Sequence, residues 1–192
     1  MKIYDISQEV LSCKVYPGDP KPLIQTLCET EKGDLYNLTA FSMCAHNGTH
    51  IDAPFHFLGE GKTVDQMDLN TFVGDCYVVR HNGDVTGRDA AAILQKAEDA
   101  PRILIAGPAT VTAEAAQVFA NSGICLLGNE SQTVGPKNAP MQVHKTLLEK
   151  DIALLEGVVL TDVPEGRYFL SAAPLCLAGA DGAPCRAYLI EK

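Results

Sequence analysis

Between Cys76 and Gly128 the chain switches twice from a short apolar run to a stretch with helical periodicity and back. "CYVVRH" (76–81) reads as a buried strand, and "TGRDAAAILQKAED" follows as a helix with Thr86 and Asp89 at capping-box spacing. "RILIAG" (102–107) is the next strand. "TAEAAQVFANSG" is the next helix, capped by Thr112 and closed by Gly123, and "ICLLG" (124–128) is the third strand. This β-α-β-α-β order implies parallel strands with helices packed on the sheet, which sets the class as α/β.

The flanks add strand rather than helix. "KIYDIS" opens the chain as a strand and "YPGDPKP" follows as a turn-prone loop. After the core come the loop "NESQTVGPKNAP", a short helix around "HKTLLEKD", the apolar run "IALLEGVVL", and the strand-like "RYFLS" and "CRAYLIEK". No repeat, low-complexity tract or linker divides the 192 residues, so one domain over 1–192 is expected, and 46% hydrophobic content is ample for its core.

The chain has five histidines, and His46, His50 and His56 crowd into "AHNGTHIDAPFHF" with Asp52 among them. The segment is not helical: Gly48, the β-branched Thr49 and Ile51, and Pro54 all argue against it. In an extended strand His50 and Asp52, two apart, project to the same side. A bend at Gly48 returns His46 to them, and imidazole nitrogens with a carboxylate make a divalent-metal site with open positions. His56, beyond Pro54, is placed either to add a ligand or to act as general acid or base. A lone histidine is more often a packing or surface residue; the clustering is what points to chemistry. A nucleophilic role for the nearby Cys44 lacks a G-x-S-x-G elbow or a positioned oxyanion hole.

The bulk properties exclude some partners. A formal charge of -9 with no basic run argues against nucleic acid. No apolar run is long enough to span a bilayer, and "MKIYDISQEV" lacks the apolar stretch of a signal peptide. Seven cysteines without a C-x-x-C pair fit reduced thiols in a cytoplasmic protein.

"HNGTHIDAPFHF" resembles the H-x-G-T-H-x-D-x-P-x-H-F signature of the cyclase family of metal-dependent hydrolases, which includes bacterial kynurenine formamidase and isatin hydrolase. "YDISQEV", "VYPGDP", "TAEAAQVFANSGICLLGNESQTVGP" and "HKTLLEKDIALLEGVVL" resemble further family segments along most of the chain. The resemblance implies a swivelling, β-rich α/β fold with a mixed sheet and flanking helices. It implies that His46, His50 and Asp52 bind metal and that Asp52 bridges when two ions are present. His144 and Glu156 would complete a second metal position, and His56 would transfer protons. One or two ions per chain, Zn2+ or Mn2+, and a homodimer or homotetramer are implied as well. Glu156 lies between "IALL" and "GVVL", where an isolated carboxylate is costly to bury unless paired, and a metal would pair it. His144 taken alone reads as a solvated residue at the start of a helix, and His81 as structural.

Two positions depart from the kynurenine formamidase pattern. Tyr16 stands where a substrate-facing tryptophan is common, and Glu130 of "GNESQT" where aspartate is frequent; both are expected on substrate-contacting regions. The expected function is hydrolysis of an amide, such as an aryl formamide or small cyclic amide, by metal-activated water. The alternatives are a lactonase or dehydratase on the same site and a non-catalytic binder of a small metabolite.

Overall fold

The capping chemistry read from the sequence sets the helices of the computed structural model, which describes residues 1–191. The strands are β1 (Lys2–Asp5), β2 (Leu23–Cys28), β3 (Leu38–Ser42), β4 (His50–Asp52), β5 (Val73–Arg80), β6 (Gly83–Val85), β7 (Arg102–Ala106), β8 (Ala109–Val111), β9 (Leu126–Asn129), β10 (Ala153–Glu156), β11 (Gly166–Ser171), β12 (Gly182–Pro184) and β13 (Tyr188–Glu191). The helices are α1 (Gly87–Ala97), α2 (Ala113–Ala120) and α3 (Met141–Leu148). At α1, Thr86 Oγ1 accepts from Asp89 N at 3.2 Å and Asp89 Oδ2 accepts from Thr86 N at 3.0 Å, a complete capping box. Thr112 caps α2 more simply, its hydroxyl accepting from Ala115 N with no reciprocal bond. That helix ends at Ala120, and Gly123 lies past its cap in a left-handed conformation.

A nine-stranded sheet runs β1-β13-β11-β5-β7-β9-β10-β4-β12. Its centre, β5, β7, β9 and β10, is parallel as the alternating pattern predicts, and antiparallel strands extend it on both sides. Because side chains alternate along a strand, Ile103 and Ile105 enter the core under the three helices. Leu104 and Ala106 enter a second core on the opposite face. That second core gathers Leu189 and Leu170 from one flank with Ile51 from the other, so the sheet curls on itself. Burial on both faces explains why β7 reads as an unbroken apolar run. The fold is an α/β domain with a curled mixed sheet and three helices, as expected. The strand β13 is shorter than "CRAYLIEK", and the last residue of that stretch, Lys192, lies outside the described residues. Outside the main sheet, β6 pairs with β8, and β2 and β3 form a separate hairpin.

Candidate metal centre

The strand β4 sits between β10 and β12. Ile51 points into the second core, which leaves His50 and Asp52 together on the other side, both buried. Antiparallel register places Glu156 of β10 directly opposite His50. Gly48, at φ 69°, makes the bend that brings His46 back over Asp52, and His46 Nδ1 lies 2.8 Å from Asp52 Oδ1. A single 3-10 turn, Pro54–His56, then carries His56 to the same place, its ring centroid 4.0 Å from that of His46. His144 is the fourth residue of α3 and is buried, not a solvated residue at a helix start. Its position in the second turn aims the ring at Glu156, 3.1 Å from Nε2 to Oε1.

The six residues from the histidine loop, α3 and β10 therefore converge, in two groups that share Asp52. In the first, His50 Nε2 is 3.3 Å from Asp52 and 3.6 Å from Glu156, and His144 Nε2 is 3.6 Å from the other Asp52 oxygen. In the second, His46, Asp52 and His56 place one nitrogen or oxygen each within 4.8 Å of one another. His144 and Glu156 thus belong with His50, while His46 stands with His56.

The ring hydrogen bonds test whether a cation fits. His50 Nδ1 bonds the Gly48 carbonyl at 3.0 Å, and His144 Nδ1 bonds the Pro140 carbonyl at 2.9 Å. A carbonyl only accepts, so Nδ1 carries the proton in both rings. In a neutral ring, Nε2 then presents a lone pair to carboxylate oxygens. That contact is repulsive unless a proton or a metal lies between, and the donor set suits a divalent ion. The charges respond accordingly. Burial works against the charged form of His46, but Asp52 and Asp181 outweigh it and lift the imidazole to about 9. Burial likewise opposes the charged forms of His50 and His144, and Asp52 and Glu156 respectively raise them. Asp52, which burial alone would push up, is held well below the usual carboxylate range by His46 and His50.

These groups form the base of a cleft of about 390 Å³, with Tyr16, Phe57, Gln132, Thr133 and Pro140 on its walls. Tyr16 does line it, its hydroxyl donating to the Lys137 carbonyl at 3.2 Å. Glu130 does not. Its carboxylate accepts from Gly107 N at 2.5 Å and Leu160 N at 2.8 Å, so the longer side chain braces two backbone turns instead of facing substrate. Cys44 lines the cleft with its thiol donating to Asp19, and among the described residues no imidazole nitrogen is one of its hydrogen-bond partners. Burial pushes its thiol up, the wrong direction for a nucleophile. His81 lies outside the cleft, bonded to the Asp84 carbonyl.

One residue of the site went unread in the sequence. Asp181 Oδ2 bonds His46 Nε2 at 2.9 Å and His56 Nδ1 at 3.0 Å. It sits in "GADGAP", a run of small residues with no periodicity, and the pairing of this segment with Asp52 and Ala53 brings it to the site.

A Cyclase family model ("Putative cyclase") matches residues 4–136. A kynurenine formamidase of Erythrobacter litoralis is 34% identical over 99% of this chain and 94% of its own length. One from Bacillus cytotoxicus is 32% identical over 96% and 95%. Among solved structures, a "predicted metal-dependent hydrolase" from Bacillus stearothermophilus superposes with a TM-score of 0.80 at 29% identity, covering 98% of this chain and 97% of that one. Isatin hydrolase A from Labrenzia aggregata shares the fold, at a TM-score of 0.86 and 18% identity over 100% and 94% of the two chains. Matched along its whole length by such relatives, and carrying the histidine loop at the base of its cleft, the chain belongs to the cyclase family of metal-dependent hydrolases.

Proposed function

We propose that the chain hydrolyses the C–N bond of a small amide, an aryl formamide of the N-formylkynurenine type or a small cyclic amide. The observation that carries this is the set of Nε2 atoms of His50 and His144 turned onto the buried Asp52 and Glu156 at the cleft base. Zn2+ or Mn2+ held there, one or two ions per chain, would polarise the substrate carbonyl and make water nucleophilic near neutrality. Asp52, central to both groups, would help hold either ion. His56, with 28% of its side chain exposed, takes a proton from the attacking water and returns it to the leaving nitrogen. Tyr16 and Phe57 offer aromatic faces to a planar substrate. Tyr16 is a smaller face than an indole, which favours a compact aryl amide.

The kynurenine formamidase relatives at 32–34% identity support this substrate class. Seven free thiols, none paired among the described residues, support a reducing, cytoplasmic setting. Among the described residues no helix is long and apolar enough to cross a membrane. A homodimer or homotetramer is the assembly we infer, supported by the exposed apolar hairpin of β2 and β3.

The test is turnover of N-formylkynurenine, aryl formamides, cyclic imides and lactones by protein reconstituted with Zn2+ or Mn2+, with a chelated control. Metal-dependent release of formate or ring-opened product from an amide supports the reading. Hydrolysis confined to lactones would move the enzyme to the lactonase alternative. Tight metal uptake with no turnover of any panel member would favour a non-catalytic binder.

A further inference from the structure

Asp181 has a geometry that no ligand or proton-transfer role given above accounts for. A single oxygen, Oδ2, meets His46 Nε2 at 2.9 Å and His56 Nδ1 at 3.0 Å. The two rings lie one over the other, centroids 4.0 Å apart and tilted by 31°, so one acceptor serves both edges. The main chain that carries it is itself pinned. The Asp181 carbonyl accepts from Ala53 N at 2.9 Å, and the next residue, Gly182, pairs with Asp52 in the β4–β12 ladder. Gly182 leaves room for this arrangement. A Cβ there would sit 2.7 Å from His46 Cε1 and 2.6 Å from the Ile51 carbonyl oxygen.

We propose that Asp181 is a positioning residue that fixes the tautomers of His46 and His56 through one shared oxygen. A carboxylate oxygen accepts and does not donate, so the nitrogens facing it carry the protons. His46 faces carboxylate oxygens at both nitrogens, so each carries a proton without metal; a metal would displace the one on Nδ1, and Asp181 would keep the one on Nε2. His56 keeps Nε2 as the nitrogen available to move a proton. Without the carboxylate His46 would still be held by Asp52, but His56 would lose the hydrogen bond that fixes its ring and the wrong nitrogen could face the substrate. The role rests on the proposed hydrolase reading for its kinetic consequence and for the metal at His46; the His56 tautomer stands apart from it.

Two measurements test it. Long-range proton–nitrogen NMR spectra of zinc-loaded, ring-labelled protein, at a pH where free imidazole is neutral, report which nitrogen of each ring bears hydrogen. The expected result is Nε2–H for His46 and Nδ1–H for His56, with the His56 signal averaged between tautomers in Asp181→Asn. The opposite tautomer in either ring of the unaltered protein overturns the proposal, whether or not any substrate is turned over. The second measurement uses whichever amide of the panel is hydrolysed, at saturating metal. Asp181→Asn should lower kcat by about 10–100-fold, as removal of an orienting partner typically does, with KM little changed and Asp181→Glu recovering part of the loss. Combined with His56→Ala it should cost little beyond His56→Ala alone, since His46 is also held by Asp52 and only the His56 function is lost in both changes. If the two losses multiply, or if Asp181→Asn fails to hold metal at saturation, Asp181 acts as a separate group or a ligand and the positioning role is wrong. Loss of all panel activity in the unaltered protein would instead strike the hydrolase reading and leave the NMR result to decide this one.

Discussion

At the scale of single residues, the two groups around Asp52 predict different failures. His50 is buried and offers only Nε2 to the carboxylates, so His50→Ala leaves Asp52 and Glu156 without one of the imidazoles that pair them. Metal content by elemental analysis should fall and activity should disappear with it. His56 faces the cleft, so His56→Ala should retain metal while losing about 10²–10⁴ in rate, the span usual for a lost general acid–base. Full turnover in His56→Ala would end its proton-transfer role. The site also predicts a pH dependence for chelated protein. His46 titrates at about 9 in the folded chain against an ordinary 6.5, so its pairing with Asp52 and Asp181 stabilises the protein fully below about 6.5 and is lost as pH rises through about 9. The Tm of chelated protein should fall across that window. Metal uptake requires the neutral ring, so the gain in Tm on adding Zn2+ should instead grow with pH over the same range. A Zn2+ shift that is flat in pH would show that no imidazole proton is displaced.

At the scale of elements, the site is a product of register. Gly182 illustrates this, because it faces Asp52 across β12 and β4 and lies under the His46 ring. Gly182→Ala would force its Cβ against the Ile51 carbonyl, so either the ladder opens or His46 tilts. Weakened metal affinity with a lowered Tm is expected, and an unaltered metal affinity would show that β12 has slack the structure does not display. The same dependence on register explains what the sequence could reveal. The histidine loop was legible because its ligands lie on one strand and one bend, and Gly48 with Pro54 marks both. Glu156 announced itself as a carboxylate inside an apolar run. Asp181 did not, since its partners lie 135 and 125 residues earlier and only a three-residue strand delivers it to them. Taken without the family resemblance, His144 reads as solvated because α3 begins at Met141, three residues earlier than its apolar pattern indicates, which turns the ring inward. The family pattern points Glu130 to the substrate side, yet backbone amides at Gly107 and Leu160 claim it.

At the scale of the whole molecule, the parallel centre of the sheet followed from alternating periodicities, whereas the hairpin of β2 and β3 had no such signal. Its ladder pairs Ile24 with Phe41, both exposed, and Leu23, Leu27, Leu35, Tyr36 and Leu38 are exposed as well. Apolar residues on both faces give neither a clean alternation in sequence nor a dry side in the monomer. A two-stranded hairpin with solvent on both faces is marginal in water, and an apolar patch of this kind marks an interaction surface. The hairpin leaves the body next to the cleft, since Asp19 just before it and Cys44 just after it both line that cleft. A second copy of the chain is the partner we infer, because closed homo-oligomers are the commonest soluble assemblies. Light scattering on the unaltered protein should then give a dimer or tetramer. The pair Ile24→Asp and Phe41→Asp should dissociate it, because each buried contact would leave a carboxylate unpaired against an apolar surface. If the second copy also shapes the cleft, the dissociated variant should lose affinity for the amide while its metal content is kept. A monomeric unaltered protein at assay concentration would retire the assembly reading and leave the metal chemistry where it stands.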